Sequence, residues 1–193
     1  YALGIGARRD ELPYLYEKHG PMVYPSFAVV APFAPVFEQV RRAGGELATV
    51  VHHAQKVRLH VVLPPQGRIR TVATIRGMWD LKRFVTVIVD AHSVDATTGA
   101  PLFDTTWSLV FRGGGGFGGS APPREEAILP PAEREPDFVV SEATTPEQAI
   151  LYRLSGDENP LHIDPEVAKQ AGFAAGPIQH GLCTLGFMVR HVV

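Results

Sequence analysis

The order of the elements in this chain predicts an α+β fold in which an antiparallel sheet wraps around a helix. Residues 32–43 carry apolar side chains at helical spacing, and Gly44 and Gly45 directly follow them. Four β-rich stretches come next, with turn sequences between them, and span residues 47–63, 68–79, 84–95 and 102–111. Long strands that follow a single apolar helix are typical of a sheet packed on that helix.

Hydrophobic periodicity justifies the helix and the clearest of the strands. The apolar positions of the predicted helix recur every three or four residues, at Phe33, Val36, Phe37 and Val40. This spacing places them on one face, and the two glycines that follow end the helix. In the stretch at 84–95, valines occupy alternate positions, at Val85, Val87 and Val89. Alternation with a period of two is the pattern of a strand with one buried face.

A glycine-rich segment at residues 112–123 separates two parts of the chain. Its glycines and prolines are incompatible with a regular element. Two interpretations are open: a linker between domains, or a glycine turn packed against the first sheet, with the linker at 120–136. We divide the chain into a first repeat at 1–119, a linker at 120–136 and the start of a second repeat at 137–193. A phosphate-binding loop is not expected, because the glycines open no helix.

The second part of the chain begins with short elements. A strand is predicted at 138–140. A helix is predicted to follow, with Thr145 as its cap and Gln148 reaching back to that cap. Asp164, directly before a proline, predicts the cap of another short helix.

The last predicted helix, at residues 181–193, is apolar on several faces. At about 25 cal/mol per Å² of apolar surface, leaving such a helix uncovered would cost several kcal/mol. In contrast to the first part, no predicted strands follow it. We therefore expect that a C-terminal sheet is missing from this sequence, or that a second copy of the chain or another partner supplies it.

Composition and charge exclude several classes of function. The 193 residues carry a formal net charge of −2, so no basic field steers the chain to nucleic acid. A single cysteine, Cys183, excludes an internal disulfide and a structural zinc site built on several thiolates. No apolar run reaches the roughly 18 residues of a membrane helix, and the start lacks the pattern of a signal peptide. We expect a cytoplasmic protein that binds neither nucleic acid nor membrane.

The segment at 152–181 carries the most chemistry. It places Asp157, Asn159 and His162 within six residues, with a proline between them and a glycine before them that predict a tight turn. An acid and a base that share one water are the parts needed to move a proton. Taken singly, the three residues also have plainer interpretations, as a turn cap, a turn signal and a core histidine.

Gly181 opens the last apolar helix, about twenty residues after this turn. The first N–H groups of a helix have no partner inside the helix and carry partial positive charge. Glycine has no Cβ to block a ligand there. The position can therefore bind the oxygen of a thioester carbonyl and stabilise an enolate-like anion.

Residues 152–165, YRLSGDENPLHIDP, resemble the hydratase 2 motif of the MaoC-like (R)-specific enoyl-CoA hydratases and dehydratases. Residues 177–182, PIQHGL, are similar to the downstream segment of that family. Segments at 1–6, 24–27 and 112–119 are similar to the N-terminal half of its two-repeat members. The resemblance implies a double hot-dog fold, in which each repeat wraps an antiparallel sheet around a long helix. The second repeat departs from this pattern, because its sheet is not in the sequence.

The resemblance also implies a role for each motif residue. Asp157 and His162 would hold the catalytic water, Asn159 would orient the site, and the N–H of Gly181 would bind the thioester oxygen. Water would add across a trans-2-enoyl-CoA to give the (R)-3-hydroxyacyl-CoA, or leave in the reverse reaction. By the same resemblance an acyl-CoA would be the substrate, and no metal or other cofactor would be needed.

Contacts with the acyl chain are expected from the first repeat, which lacks an equivalent motif. Tyr24 and Phe27 are candidates for this pocket, with plain core packing as the alternative. His180 precedes Gly181 and is expected either to contact substrate or to fix the turn. The pair His52 and His53 is not expected to bind a metal, because no carboxylate lies nearby in the sequence.

Two other functions are open. A hot-dog acyl-CoA thioesterase would use a carboxylate and a water at the thioester carbonyl, although the order of Asp157, Asn159 and His162 argues against it. A non-catalytic subunit or fragment would bind only acyl chains or a partner. A helix at 181–193 without a covering sheet would favour the second of these.

Overall fold

The computed structural model describes residues 1–44, 49–123, 129 and 131–193 of the chain. The strands are β1 (Val50–Leu59), β2 (Ile69–Asp80), β3 (Val85–Asp95) and β4 (Pro101–Phe111). The α-helices in these ranges are α1 (Leu12–Leu15), α2 (Phe33–Arg42), α3 (Gln148–Tyr152), α4 (Pro165–Gln170) and α5 (Gly181–Arg190), and short 3₁₀ helices lie before and between them. None of the described helices combines the length and the hydropathy that crossing a bilayer requires.

The four strands form one antiparallel sheet in the order β1-β4-β3-β2. In β4, Trp107 pairs with Gln55 of β1 on one side and with Val89 of β3 on the other. The predicted antiparallel α+β architecture is confirmed for this half of the chain. The beginning of the predicted strand at 47–63, together with Gly45, lies at residues 45–48, outside the described part.

Helix α2 packs its apolar face against the inner face of the sheet. Val36 and Val40, one turn apart, are completely buried. They share a core with alternate residues of the two central strands, among them Val87, Val89, Trp107 and Leu109. Each valine buried in this way stabilises the fold by about 1.5–3 kcal/mol, which is why α2 stays on the sheet.

The glycine-rich segment packs against the end of the sheet, as in the second of the two interpretations above. The Asp80 carboxylate accepts hydrogen bonds from the backbone N–H groups of Gly116, at 3.0 Å, and of Gly118. These bonds hold the pKa of Asp80 below its ordinary value. A Cβ at Gly115 would lie 2.5 Å from the carbonyl oxygen of Lys82, so only glycine fits there. The linker predicted at 120–136 falls partly on residues 124–128 and 130, outside the described part.

Two local predictions for the second half are wrong. Residues 138–140 form no strand and are exposed, because no neighbouring strand in the described ranges offers them backbone partners. Helix α3 begins at Gln148, and the side chain of Gln148 does not reach back to Thr145. Its amide donates instead to the carbonyl oxygen of Gly4, at 2.6 Å.

The predicted cap at Asp164 is confirmed. Its carboxylate accepts the backbone N–H groups of Glu166, at 2.9 Å, and of Val167, and so begins α4. The last predicted helix exists as α5 but ends at Arg190. In residues 129 and 131–193 the structure has helices and turns without a strand, and Met188 on the outer side of α5 is 64% exposed.

The second half packs on the N-terminal segment at residues 1–7. Gly186 of α5 touches Ile5 so closely that an added Cβ would lie 2.2 Å from the Ile5 Cγ2 atom. The thiol of Cys183 donates to the carbonyl oxygen of Gly4, at 3.2 Å. Ile5, Cys183 and Phe187 belong to the same core cluster as Val36 of α2. The described residues of both halves therefore share one core.

A buried arginine ties three segments of the chain together. The side chain of Arg190, at the end of α5, is 3% exposed. Its guanidinium lies 2.8 Å from a carboxylate oxygen of Glu11, and it also pairs with Glu142. The Arg190 Nε donates to the carbonyl oxygen of Ile5, at 3.1 Å. A charge this deeply buried is tolerated only because it has these partners.

We expect Arg190→Met to lower the free energy of unfolding by about 3–5 kcal/mol, because Glu11, Glu142 and the Ile5 carbonyl all lose a partner. Urea denaturation of the parent and the variant measures this difference. The control Arg134→Met removes an exposed ion pair with Asp137 and should cost about 1 kcal/mol or less. Equal losses in the two variants would contradict the assignment of a stabilising role to Arg190.

Candidate active site

A short loop brings Asp157 and His162 to one place. Gly156, with a φ of +117°, ends the preceding turn in a conformation that favours glycine. The Asn159 side chain accepts the backbone N–H of Leu161, at 3.0 Å, and so caps the 3₁₀ turn Pro160–His162. Asp157 in turn accepts the backbone N–H of Asn159, at 3.3 Å. Both Asp157 and His162 are half-buried on this loop.

His162 is held in one tautomer. Its Nδ1 lies 2.7 Å from the carbonyl oxygen of Ile178, so Nδ1 carries the proton and donates it. Its Nε2 is then an acceptor, and no described residue donates a hydrogen bond to it. The ring stacks on the ring of His180, with centroids 3.7 Å apart. A fixed tautomer with an available lone pair is what a general base requires.

His180 is buried beneath His162, at 1% exposure. Its Nε2 donates to the main-chain carbonyl oxygen of Asp157, at 3.0 Å. Burial lowers the pKa of His180 to about 4, and the neighbouring His162 adds to this effect, so the ring is neutral near pH 7. Its Nδ1 has no hydrogen-bond partner among the described residues. Of the two roles expected for His180, its contacts fit the fixing of the turn.

The Asp157 carboxyl has an unusual environment. Burial raises its pKa, while the imidazole of His162 and the N–H of Asn159 partly oppose that rise. One ligand atom from each of Asp157, His162 and His180 lies within 4.8 Å of the other two, a spacing that a divalent cation can bridge. The His162 and His180 rings stack with 28° between their planes. One nitrogen of each ring already donates to a main-chain carbonyl oxygen, His162 Nδ1 to Ile178 and His180 Nε2 to Asp157.

The backbone of Gly181 begins α5 beside His180. The N–H groups of Cys183 and Thr184 donate to the His180 carbonyl oxygen, at 3.1 and 3.2 Å. The N–H of Gly181 has no partner in the part of the chain that the structure describes. A Cβ at Gly181 would meet no atom within 4 Å, so the space around it is open. A hydrogen-bond acceptor can therefore approach the N–H of Gly181.

A cavity of about 730 Å³ lies between the loop that carries Asp157 and the first half of the chain. Asp157 and Asn159 contribute to its wall from the loop. From the first half, Phe33, Phe37 and Arg41 of α2 line it, together with Arg112 at the end of β4. Neither arginine was predicted as a site residue, because an arginine pair at a helix end and an arginine beside a glycine run both look like solvated surface residues.

The other predicted contact residues lie elsewhere. Tyr24 is buried, donates its hydroxyl to Glu11 at 2.7 Å and stacks on Tyr14. Phe27 packs edge-on against Tyr1, with ring centroids 5.4 Å apart. Neither Tyr24 nor Phe27 lines the cavity beside Asp157.

Two families match this sequence in succession. Residues 1–113 match the MFE-2 hydratase 2 N-terminal domain. Residues 128–193 match the MaoC-like domain. The second match includes the whole of the loop that carries Asp157 and His162, together with Gly181.

Named relatives match the chain over its whole length. The enoyl-CoA hydratase ChsH3 of Mycobacterium tuberculosis is 40% identical, and the match covers 100% of this chain and 69% of that protein. A peroxisomal enoyl-CoA hydratase 2 of Arabidopsis thaliana is 34% identical, with 100% and 68% covered. The chain thus spans about two thirds of the length of these relatives.

Solved structures give the same result for the fold. A MaoC-like dehydratase from Phytophthora capsici superimposes with a TM-score of 0.80 at 31% identity, covering 100% of this chain and 68% of that one. The peroxisomal multifunctional enzyme type 2 of Drosophila melanogaster gives 0.76 at 32% identity, covering 100% and 34%. The chain therefore belongs to the MaoC-like hydratase 2 family and has its hot-dog fold.

Proposed function

We propose that this protein hydrates trans-2-enoyl-CoA to (R)-3-hydroxyacyl-CoA, or catalyses the reverse dehydration. The observation that carries the proposal is the pairing of Asp157 and His162 on one capped loop, beside the open N–H of Gly181. The names of the M. tuberculosis and A. thaliana relatives support enoyl-CoA as the substrate. The (R) configuration follows from membership of the hydratase 2 family.

In this mechanism a water molecule lies between the Asp157 carboxyl and the Nε2 of His162. One of the two groups takes a proton from the water, and the oxygen of the water bonds to C3 of the enoyl chain. The other group delivers a proton to C2, so that one water is added and no electrons are transferred. The raised pKa of Asp157, caused by its burial, suits this exchange, because a carboxyl that holds its proton more tightly is a better proton acceptor than an ordinary one.

The developing negative charge lies on the thioester oxygen during this step. The N–H of Gly181, at the positive end of the α5 dipole, would donate to that oxygen. Asn159 would act on the loop, since its side chain caps the turn that presents His162. Because water adds across the double bond without a net change in oxidation state, the proposal requires no redox cofactor. The N–H of Gly181 would polarise the thioester oxygen, so the proposal requires no metal.

The setting of the enzyme is also part of the proposal. A second copy of the chain, or another partner, would cover the outer side of α5, where Met188 is exposed. We propose the cytoplasm as its location, with the peroxisome, named for the A. thaliana relative, as the alternative.

Asp157→Asn and His162→Ala are each expected to lower the rate of crotonyl-CoA hydration by about 10²–10⁴-fold, because each removes one proton-transfer group. The loss of enoyl absorbance measures the rate. Glu166→Gln, which changes an exposed carboxylate of α4 that does not line the cavity, serves as the control and should stay close to the parent. Parent-like rates in both site variants would refute the mechanism. Release of free CoA without loss of the enoyl group would indicate a thioesterase.

Asp157 should also make stability depend on pH. Its pKa is raised in the folded state above an ordinary value of about 4 in the unfolded chain. The folded state therefore keeps the proton to a higher pH than the unfolded chain does. The free energy of unfolding falls as the pH rises from about 4 through the folded-state pKa. Asp157→Asn removes this loss of stability, because an amide does not ionise.

We accordingly expect Asp157→Asn to unfold at higher urea concentration than the parent near pH 8, with the gap closing toward about pH 4. Parallel urea titrations at several pH values measure the gap. Glu166→Gln, at an exposed position of α4, is measured in parallel as the control. A parent more stable than Asp157→Asn at pH 8 would contradict the assigned shift.

A further inference from the structure

We propose that Arg41 and Arg112 form an anion-binding subsite in the cavity beside Asp157, which takes a phosphate or carboxylate group of the thioester substrate. The inference rests on the proposed function, because it concerns the cavity in which that reaction would occur. Substrates that carry a phosphate or a carboxylate far from the reacting carbons would bind best to this subsite.

One wall of the cavity changes from aromatic to cationic along α2. Phe33, Phe37 and Arg41 are four residues apart and line the cavity in that order. This spacing places them on one side of a helix, over roughly 12 Å along its axis. The two rings stack with centroids 4.4 Å apart and form a continuous apolar surface. A ligand on this wall would thus meet first an apolar surface and then a positive charge.

Arg112 approaches the same cavity from the end of β4. Its backbone N–H donates to the carbonyl oxygen of Thr49, at 3.1 Å, which fixes the start of the side chain. Its guanidinium carbon lies 5.5 Å from the centre of the Phe173 ring. Within the described ranges the guanidinium pairs with no carboxylate. Arg112 therefore offers its N–H donors to a ligand.

Among the described residues, Arg41 has one weak ion-pair partner, Glu38. Its guanidinium lies 3.5 Å from Glu38, and both side chains are exposed at about half or more of their surface. An ion pair in that setting contributes about 1 kcal/mol or less. A ligand phosphate or carboxylate can therefore replace Glu38 as the partner of Arg41 at little cost.

The distribution of charge would orient a substrate. The catalytic loop contributes Asp157 and Glu158 to the cavity, whereas the first half of the chain contributes Arg41 and Arg112. Carboxylates repel an anionic group, and guanidinium forks bind phosphates and carboxylates with paired hydrogen bonds. The anionic part of the substrate would thus lie at the arginines, with the apolar part along Phe33 and Phe37.

Two groups on an acyl-CoA have this chemistry. One is the set of phosphates on CoA, and the other is a carboxylate at the far end of the acyl chain. The unreactive thioesters butyryl-CoA, butyryl-pantetheine and adipyl-CoA separate them, because the second lacks phosphates and only the third has a distal carboxylate. Calorimetric titration of each into the protein gives the dissociation constant without requiring turnover.

Arg112→Gln and Arg41→Gln are each expected to weaken binding by about tenfold where the anionic group is present, as for the loss of one charge-assisted hydrogen bond. If the arginines bind the phosphates, the variants bind both CoA thioesters more weakly than the parent does, and their affinity for the pantetheine thioester does not change. If the distal carboxylate is bound, only adipyl-CoA weakens. Unchanged constants for all three thioesters, or a parent that binds none of them, would overturn the proposal.

Arg42→Gln is the matched control. It removes a guanidinium from the next position of α2, and Arg42, like Arg41, forms an ion pair with Glu38. Arg42, however, does not line the cavity. Phe173→Leu removes the ring beside Arg112 and leaves the charge. Losses as large in either control as in the two cavity variants would also overturn the proposal. Hydration of crotonyl-CoA by the parent is measured separately, so a failure of the subsite and a failure of the proposed reaction remain distinct.

Discussion

The structure depends on the hydrogen-bond donors that the buried main chain of Gly4 and Ile5 receives from the rest of the protein. Both residues are buried, and an unpaired carbonyl oxygen there costs about 1–3 kcal/mol. The donors come from the second half of the chain: Gln148 and Cys183 to Gly4, and Arg190 to Ile5. These hydrogen bonds hold α3 and α5 at fixed positions on the first half of the chain.

The positions of α3 and α5 in turn determine the geometry of the candidate active site. Asp157 follows α3 by a few residues, and Gly181 begins α5, so each lies at an end of an element that the N-terminal segment holds. The hydrogen bond from His180 to the Asp157 carbonyl then joins the two ends directly. Groups more than twenty residues apart in sequence thereby keep a constant separation. Such preorganisation is what electrostatic stabilisation of a reacting oxygen demands.

The parts that sequence patterns predicted well are those set by neighbouring residues. Helix α2, the period-two strands and the Asp164 cap depend on spacings of a few residues, and they are in the structure. Gln148 was predicted to form a local helix cap, but its side-chain amide donates to the carbonyl oxygen of Gly4, 144 residues away in the sequence. Arg112 was missed for a related reason, because its place in the cavity depends on how the second half packs on the first. Long-range partners of this kind leave no periodic signal.

The contact between Gly186 and Ile5 restricts how this protein can change. A methyl group at position 186 has no room while Ile5 keeps its present shape. A larger residue in α5 becomes acceptable only after position 5 has become smaller, and that first step by itself opens a hole in the core. The two positions, 181 residues apart along the chain, are therefore expected to vary together or not at all, although neither touches a reacting group.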